Sequence, residues 1–394
     1  MEKVIFLLTF IIVTSSCTEP YALQSNTFED VIVIEATITN ELKIQEIKIS
    51  RTFQLEEKEP QVETNAIVYI IDDLENKFNF VESNGKYISQ FEFQAMPERQ
   101  YQLFINTSNG KQYTSTREKL TAVNNLNSIE ATVKNKFGVN GVDITANSFD
   151  PIGTSKYYRY EYEETYRFIV PYWAPDSLKI NYYVDPQLPI YFITSSRSGP
   201  SKTCYKTDKS TEIILENTTN YSEDRIENFS VRFISQTNFI IADRYSILVK
   251  QYIQNLAAFT FYKTLKDLSA SGNVLTPNQP GFFSGNISSI VNKNEKVIGF
   301  FDVSTLSVKR LFFNYDDFFP GEEKPKYFID CEVIEFDISL SCAEHWNALC
   351  GMLVRMEQKT IILYEDDDPL YNMVIPKCGD CRTVGSNIVP AFWQ

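Results

Sequence analysis

Apolar and polar residues alternate along most of the chain, in short segments separated by turn-forming residues. Val31–Thr39 is rich in β-branched residues, and apolar and polar residues alternate over residues 44–53. Tyr101, Leu103 and Ile105 repeat the same period of two. This period places successive side chains on opposite faces of a strand. The pattern predicts a mainly β protein.

Three Asn-Gly pairs lie between alternating segments. They are Asn84-Gly85, Asn109-Gly110 and Asn140-Gly141. Asn-Gly favours a two-residue hairpin turn, because both central residues of that turn need a positive φ. We therefore expect a β-hairpin at each pair.

One predicted strand is longer and more aromatic than the others. Its even positions carry Tyr158, Tyr160, Tyr162, Tyr166 and Phe168. Its odd positions carry Arg159, Glu161, Glu163, Thr165 and Arg167. This alternation predicts an aromatic face buried in the core and a polar face in water.

Prolines interrupt the pattern between residues 171 and 200 and argue against a central strand there. The same segment contains six aromatic residues: Tyr172, Trp173, Tyr182, Tyr183, Tyr191 and Phe192. Long irregular loops are often functional, and exposed aromatic side chains mark contact surfaces. Two interpretations remain open: the six residues contact a partner, or the loop packs on its own domain.

One segment has helical spacing instead. Apolar residues recur three and four positions apart at Ile253, Leu256, Ala257, Phe261, Leu265 and Leu268. Gly272 follows as a stop signal. The spacing predicts one amphipathic helix near residues 253–270, packed across a sheet.

These elements predict two β-rich domains. Residues 28–120 are expected to form a small antiparallel sandwich of immunoglobulin or transthyretin-like type. Residues 121–128 are predicted to form a linker. Residues 125–394 are expected to form a larger antiparallel β-domain that contains the one helix.

The first 16 residues have the order of a secretory signal. Lys3 precedes the apolar run Val4–Val13, and Thr14-Ser15-Ser16 leads to Cys17. The run is too short to span a bilayer as a helix. A cysteine at the cleavage point is the lipobox pattern, which predicts a diacylated Cys17 and a lipidated tether over residues 17–27. The alternative is an ordinary signal peptide with an incidental cysteine.

The net charge of the chain argues against some classes of partner but does not identify one. The formal net charge of −14 argues against nucleic acid and against an anionic lipid surface. The 23 Tyr and 29 Phe suit half-buried β-surfaces. No segment after Cys17 reaches the roughly 18 uninterrupted apolar residues of a membrane span.

The remaining cysteines predict disulfides, because an exported chain meets an oxidising environment. They are Cys204, Cys331, Cys342, Cys350, Cys378 and Cys381. Cys342 and Cys350 are close enough to close a local loop. The other four can form two bridges that tie the C-terminal segment to the body.

Cys378-Gly-Asp-Cys381 also has the spacing of a redox dithiol and of half a zinc site. The motif follows Ile375-Pro376 and lies near the end of the chain, outside a βαβ context. A second pair with the same spacing is missing. We therefore predict structural disulfides here, with redox and metal sites as the alternatives.

The residue types needed for catalysis are sparse. His345 is the single histidine, and no G-x-S-x-G segment accompanies it. Adjacent carboxylates occur among 51 acidic residues, enough for such pairs to arise by chance. Examples are Asp72-Asp73, Glu163-Glu164, Asp316-Asp317 and Asp366-Asp367-Asp368. We expect no catalytic residue, no metal and no cofactor.

Several segments, in their order, resemble one family. They are Ser15–Pro20, Val31–Thr39, Glu163–Phe168, Lys206–Ile213, Tyr245–Tyr252, Gly285–Ile287 with Val297–Phe301, and Cys378–Thr383 running to Phe392-Trp393. This set is similar to Bacteroidota lipoproteins of the domain-of-unknown-function family 4249, over nearly the whole chain after Cys17. The resemblance implies an outer-membrane lipoprotein, often encoded beside a TonB-dependent receptor, and supplies no catalytic residue. The face of the outer membrane stays open.

The leading hypothesis is a non-enzymatic accessory lipoprotein of an outer-membrane uptake complex, with a TonB-dependent receptor as its partner. A structural or adhesive surface lipoprotein is one alternative. An enzyme that acts on glycans through paired carboxylates is another, and it requires two acids facing each other across an aromatic cleft.

Overall fold

The chain is built mainly from β-strands, as the alternation predicts. Strands hold 51% of the residues and helices 11% in the computed structural model. The structure describes residues 30–53, 60–181, 191–270, 285–338, 348–367 and 369–394. Within these ranges no helix is both long enough and apolar enough to cross a membrane. The signal over residues 1–16, Cys17 and the tether over residues 17–27 lie outside them.

Eight short strands form the first part of the fold. They are β1 (Ile32–Thr39), β2 (Glu46–Arg51), β3 (Ile67–Asp72), β4 (Lys77–Ser83), β5 (Lys86–Ser89), β6 (Gln100–Asn106), β7 (Gln112–Ser115) and β8 (Glu118–Lys119). Antiparallel pairing joins the first seven in the order β1-β2-β5-β4-β3-β6-β7, and β8 pairs with β6. Alternate residues, such as Ile34, Leu103 and Ile105, are buried in one core.

Two later strands complete this core. β18 (Ile287–Ser289) pairs with β7, and the first half of β19 (Val297–Asn314) pairs in parallel with β1. The side-chain amide of Asn286, just before β18, accepts a hydrogen bond from the N–H of Phe301 at 2.7 Å and donates one to its carbonyl at 3.0 Å. Asn286 thereby links the start of β18 to β19. The first core is therefore enclosed by strands from distant parts of the sequence.

Nine strands lie between these parts. They are β9 (Leu126–Lys136), β10 (Val139–Asp150), β11 (Tyr157–Ile169), β12 (Asp176–Asn181), β13 (Tyr191–Ser196), β14 (Thr203–Lys209), β15 (Ile214–Asn217), β16 (Asp224–Ser235) and β17 (Arg244–Gln254). β11 lies between β17 on one side and β14 with β15 on the other. A separate sheet, β9-β10-β16, packs on one face of β11 and β17. The five predicted aromatic residues of β11 fill this second core, each at most 8% exposed, so their predicted burial is confirmed.

The long strand β19 joins the two cores. Its first half pairs with β1, and residues 305–314 pair with β17. Phe301 and Val303 enter the first core, whereas Phe313 enters the second. The shared strand makes one 14-stranded sheet out of both parts.

The predicted helix is present as α1 (Leu256–Ala270). It begins later than expected, because Ile253 and Gln254 still pair within the sheet as the end of β17. Asn255 caps it by accepting a hydrogen bond from the N–H of Ala258 at 2.8 Å. Ala258 and Phe261 pack against Phe300 of β19 and hold the helix on the sheet.

The polar face of β11 differs from the prediction. α1 covers one end of that face, so Arg159 is only 7% exposed and Thr165 is buried as well. Glu161, Glu163 and Arg167 remain partly exposed. The expectation of a wet face was therefore wrong for Arg159, which a helix from a later part of the sequence covers, and it was wrong for Thr165 as well.

Two of the three predicted hairpin turns are confirmed. Asn84 and Gly85 have φ of 48° and 74° between β4 and β5, and Gly110 has φ of 84° between β6 and β7. The third turn forms instead at Phe137-Gly138, with φ of 53° and 81°. Asn140-Gly141 lies inside β10, so the turn prediction there was wrong.

The segment predicted as an irregular loop contains a β-hairpin. β12 and β13 pair over Asp176–Asn181 and Tyr191–Ser196 as a separate two-stranded sheet. The prediction of a loop was wrong at these residues. The prolines still keep out of the paired strands, since Pro171, Pro175 and Pro200 flank them.

The C-terminal residues form a small α/β unit with its own core. Its elements are β20 (Ile334–Asp337), α2 (Ala348–Glu357), β21 (Ile362–Asp367), β22 (Leu370–Val374) and the short α3 (Pro376–Gly379). Single 3₁₀ turns occupy Phe239–Ile241, Tyr315–Asp317 and Cys381–Thr383. α2 is a second helix that the expectation of a single substantial helix missed. Leu178 of β12 and Phe192 of β13 pack on this core. We call the hairpin together with residues 331–383 the pocket module.

Candidate functional site

A cavity of about 390 Å³ opens between the β12–β13 hairpin and the C-terminal part of the pocket module. We call it the hairpin pocket. Its polar wall consists of Ser177, Lys179, Ser195, Ser196, Arg197, Ser198, Lys359, Asp380 and Arg382. Its apolar wall consists of Leu178, Met356, Ile361, Ile362, Leu363 and Met373. A mixed wall with a few charged groups is typical of a site that binds small molecules.

Arg197 holds the two sides of the hairpin pocket together. Its guanidinium donates to the carbonyl oxygens of Asp176 at 3.0 Å, Gly379 at 2.9 Å and Leu363 at 2.9 Å. The side chain is only 6% exposed, and burial lowers the pKa of Arg197. Three neutral acceptors from three segments fix the guanidinium as a clamp between the hairpin and the C-terminal strands.

Arg382 and Asp380 form a second polar contact at the rim. Arg382 donates to both carboxylate oxygens of Asp380, at 2.9 Å and 2.6 Å, and to the carbonyl of Ser198 at 2.9 Å. Burial raises the pKa of Asp380, but the hydrogen bonds and charge of Arg382 outweigh it and leave the pKa below its usual value. Asp380 therefore carries its negative charge into the neutral and mildly acidic range.

Two disulfides fix the floor beside this rim. Cys204 is bonded to Cys381, and Cys331 to Cys378. These bridges join the four cysteines predicted to tie the C-terminal segment to the body. Because Cys378 and Cys381 each bond a distant cysteine, they form no dithiol with each other, and the redox alternative lacks its reactive pair. Cys350 is also disulfide-bonded, whereas Cys342 lies outside the described residues.

A second polar cluster, which we call the Arg159 cluster, lies under α1. The Arg159 guanidinium is held between the rings of Tyr252 of β17 and Tyr262 of α1, at 4.2 Å and 4.6 Å from their centroids. Arg159 also donates to Glu161, which accepts a further hydrogen bond from the Tyr252 hydroxyl at 3.1 Å. Cation–π contact with the two rings compensates part of the lost hydration.

Asp302 lies in the same cluster and is fully buried. The side-chain amide of Gln254 donates to one of its oxygens at 3.1 Å. Within the described part of the chain, Arg159 Nε and Gln254 Oε1 have no hydrogen-bond partner. Burial raises the pKa of Asp302, although the charge of Arg159 opposes the shift. Unpaired buried polar atoms destabilise a fold.

A comparison with family models decides the family of this chain. A family model described as a domain of unknown function (DUF4249) matches residues 18–310. The chain belongs to the DUF4249 family. The resemblance read from the sequence is thereby confirmed as to family. Residues 311–394 lie beyond the match, so the hairpin pocket takes one wall from the DUF4249 region and the other from the segment that follows it.

The remaining comparisons add no chemistry to DUF4249. No curated protein matches the chain. Among solved structures, one similar chain is described as "Biofilm associated protein - BSP domain", with 11% identity and a TM-score of 0.11. The alignment covers 73% of this chain and 59% of that one. At this TM-score the likeness supports no conclusion about fold or function.

The structure places three of the six predicted contact residues of the DUF4249 chain in the pocket module or beside it. Tyr172 packs edge-on against Tyr364, with ring centroids 5.0 Å apart. Trp173 is half-buried against the second core and donates to Ser201 Oγ at 3.0 Å. Phe192 lies against Tyr371 at 5.5 Å. These contacts show packing within the chain, and the partner-contact role stays a prediction.

The other three predicted contact residues are not described by side chain. Tyr182 and Tyr183 lie outside the described residues, and Tyr191 is described only by its backbone pairing with Asn181. Sequence reasoning missed the two buried arginines, Arg159 and Arg197. The only early signal for the Arg159 cluster was a charged residue, Asp302, inside the apolar strand Val297–Leu306.

Paired carboxylates do not form a facing pair on β11. Glu163 and Glu164 are neighbours on one strand and point to opposite faces, Glu163 towards Lys250 and Glu164 towards Arg232. Across the described ranges, no group of three or more His, Cys, Asp or Glu side chains is placed to hold a metal ion. His345 and Asp368 lie outside these ranges.

Proposed function

We propose that this DUF4249 chain is an exported Bacteroidota lipoprotein, anchored in the outer membrane through acylated Cys17, and serves as a non-enzymatic accessory of a TonB-dependent uptake system. Its role is to bind, through the pocket module, either the receptor or the cargo that the receptor imports. The order of the first 17 residues supports the anchor, and two acyl chains give stable attachment to a membrane.

The observation that carries the proposal is the position of the pocket module relative to the tether. The tether leads into β1, which lies in the first part of the sheet. The hairpin connects β11 to β14, an edge strand of the same sheet, and β11, β17 and β19 lie between β14 and β1. Three strands therefore lie between the strand that the tether enters and the edge strand beside the pocket module, and this spacing supports a binding surface set apart from the anchor.

The exposed surface of the hairpin offers a place for a partner. Ile193 of β13 is 48% exposed, although it is a large apolar residue. It pairs across the hairpin with Lys179, which is exposed too. Apolar side chains surrounded by polar groups are common at the centre of protein interfaces.

Co-purification tests the proposal. The C-terminally tagged chain is purified from mildly solubilised native membranes and its companions are identified by mass spectrometry. We expect a stoichiometric TonB-dependent receptor with the wild-type protein and much less of it with Ile193→Asp. Val133→Asp on β9 is the matched control, because Val133 is also 48% exposed but lies on the β9-β10-β16 sheet.

Three results would contradict parts of the proposal. Absence of any receptor with the wild-type protein would rule out the uptake role. Equal loss with Val133→Asp would show that the hairpin is not the contact surface. Release of the chain from membranes by Cys17→Ser is expected, and unchanged membrane attachment of that variant would rule out the lipid anchor.

A further inference from the structure

The hairpin pocket has a strong local excess of positive charge. Lys179, Arg197, Lys359 and Arg382 line it together with a single carboxylate, Asp380. The whole chain carries a formal net charge of −14, so this cavity opposes the sign of the rest of the molecule. A cationic cavity in an acidic protein attracts anions and repels cations.

We propose that the hairpin pocket binds a small organic anion, a carboxylate attached to an apolar body, with its charged end between Lys179 and Lys359. The inference rests on the proposed function in taking the pocket module as the binding surface. It adds the chemical class of the cargo.

The lysines are the groups left for a ligand. Arg197 donates hydrogen bonds to three carbonyl groups, and Arg382 donates to Asp380 and to Ser198. Among the described residues neither Lys179 nor Lys359 has an ion-pair partner within 4.0 Å. The two arginines therefore supply a fixed positive field, and the two ammonium groups are free to contact a carboxylate.

The apolar wall of the hairpin pocket indicates that the rest of the ligand is apolar. Leu178, Met356 and Ile362 are its partly exposed members, and Ile361, Leu363 and Met373 are buried behind them. Methionine side chains adapt to ligands of different shape. An aryl or alkyl body would cover the exposed part of Leu178, Met356 and Ile362, whereas a fully hydrated ion such as phosphate would leave it in water.

The site is held rigid before any ligand arrives. The Cys331–Cys378 and Cys204–Cys381 bridges fix the short segment that carries Asp380 and Arg382. Arg197 fixes the hairpin against the same segment through the carbonyl of Gly379. Preorganisation of this kind lowers the entropic cost of binding.

Isothermal titration with a matched pair of probes tests the inference. The full chain with Cys17→Ser is titrated with 4-phenylbutyrate and with its uncharged amide, 4-phenylbutyramide. We expect binding of one phenylbutyrate per chain, and affinity for the amide about tenfold or more weaker, because a charged hydrogen bond is lost. Equal affinity for both probes, or no binding of either, would overturn the inference.

Substitutions of the lysines locate the site. Lys179→Gln combined with Lys359→Asn should weaken phenylbutyrate binding about tenfold or more and leave the amide unaffected. Asparagine is chosen at 359 because this residue has φ of 56°, which asparagine tolerates. Lys263→Gln on α1, an exposed lysine paired with Asp267, is the control and should change nothing.

The outcomes separate this inference from the proposed function. Unchanged phenylbutyrate affinity in the double variant, with an unchanged melting temperature, would overturn the pocket as the anion site. Receptor co-purification involves no added anion, so it can succeed when the titration fails. Conversely, anion binding without a receptor would support the site and contradict the uptake role.

Discussion

Arg197 and Arg159 are both buried, but their guanidinium groups have different partners. Arg197 of the pocket module donates to three backbone carbonyls, and a satisfied guanidinium becomes a rigid clamp. Arg159 contacts two tyrosine rings, and in the described structure its Nε has no hydrogen-bond partner. The Arg197 clamp is therefore expected to stabilise the pocket module more than Arg159 stabilises its own cluster.

The pocket module also depends on covalent bonds that the Arg159 cluster lacks. Replacing Cys204 and Cys381 with serine opens a loop closed by residues 177 positions apart. We expect the free energy of unfolding to fall by about 4 kcal/mol. Urea unfolding, followed by fluorescence and by far-UV circular dichroism, measures the loss. In the double serine variant, the strands of the first core should stay folded at urea concentrations that unfold the pocket module. A single shared transition would contradict this.

Removing the clamp is the next largest change. Arg197→Met leaves the carbonyls of Gly379 and Leu363 without their donor inside the module. We expect a loss of about 3 kcal/mol, because each unpaired buried acceptor is costly. Thermal unfolding measures the loss. Arg382→Met is the control at the exposed rim and should cost clearly less, so equal losses would contradict the assignment of Arg197 as the clamp.

The tyrosine rings are the main support of Arg159. A double-mutant cycle with Arg159→Met and Tyr262→Leu should give a coupling energy of about 1 kcal/mol, since each change removes the same cation–π contact. Denaturant unfolding of the four proteins provides the cycle. Strictly additive effects would show that the ring and the guanidinium do not interact, and would leave the cluster without its main compensation.

The smallest expected effect concerns Asp302 and depends on pH. Because burial raises the pKa of Asp302, the native state retains this proton to a higher pH than the unfolded chain does. The stabilisation that this retained proton provides is complete below the usual aspartate pKa. It is lost as the pH rises through the raised pKa of Asp302. Asp302→Asn should therefore become more stable relative to the wild type as the pH rises above the usual aspartate pKa of about 4.

Urea unfolding at several pH values checks the Asp302 prediction. Asp267→Asn on the exposed side of α1 is the control, because its carboxylate is 63% exposed. The control should keep the pH profile of the wild type. A profile for Asp302→Asn that runs parallel to the wild type would contradict the prediction.

Local patterns in the sequence predicted those parts of the fold that depend on neighbouring residues. The aromatic face of β11 is buried because alternation follows from strand geometry wherever the strand lies. Asn84-Gly85 forms its turn because both residues accept a positive φ. At Asn140-Gly141 the tertiary pairing decided otherwise, since β10 continues through both residues and a Cβ at Gly141 would lie 2.3 Å from the carbonyl oxygen of Ile234.

The sites depended on contacts that no local pattern reports. Arg159 looked like a wet position until α1, about a hundred residues later, covered it. Lys179 and Lys359 meet at one cavity only because the hairpin packs on the C-terminal core. The cysteine count predicted that the C-terminal segment would be tied down, but the pairing of Cys204 with Cys381 required the positions of β14 and of the turn Cys381–Thr383 in the fold.

The shared strand β19 also sets an order in which the molecule can form. Ile32 pairs with Val297, and Tyr113 of β7 pairs with Ser289 of β18. A chain made from its N-terminus therefore presents two unsatisfied strand edges, β1 and β7, until residues 287–304 have been synthesised. Exposed edges recruit strands from other molecules. The first core therefore stays open to mispairing until residues 287–304 have emerged.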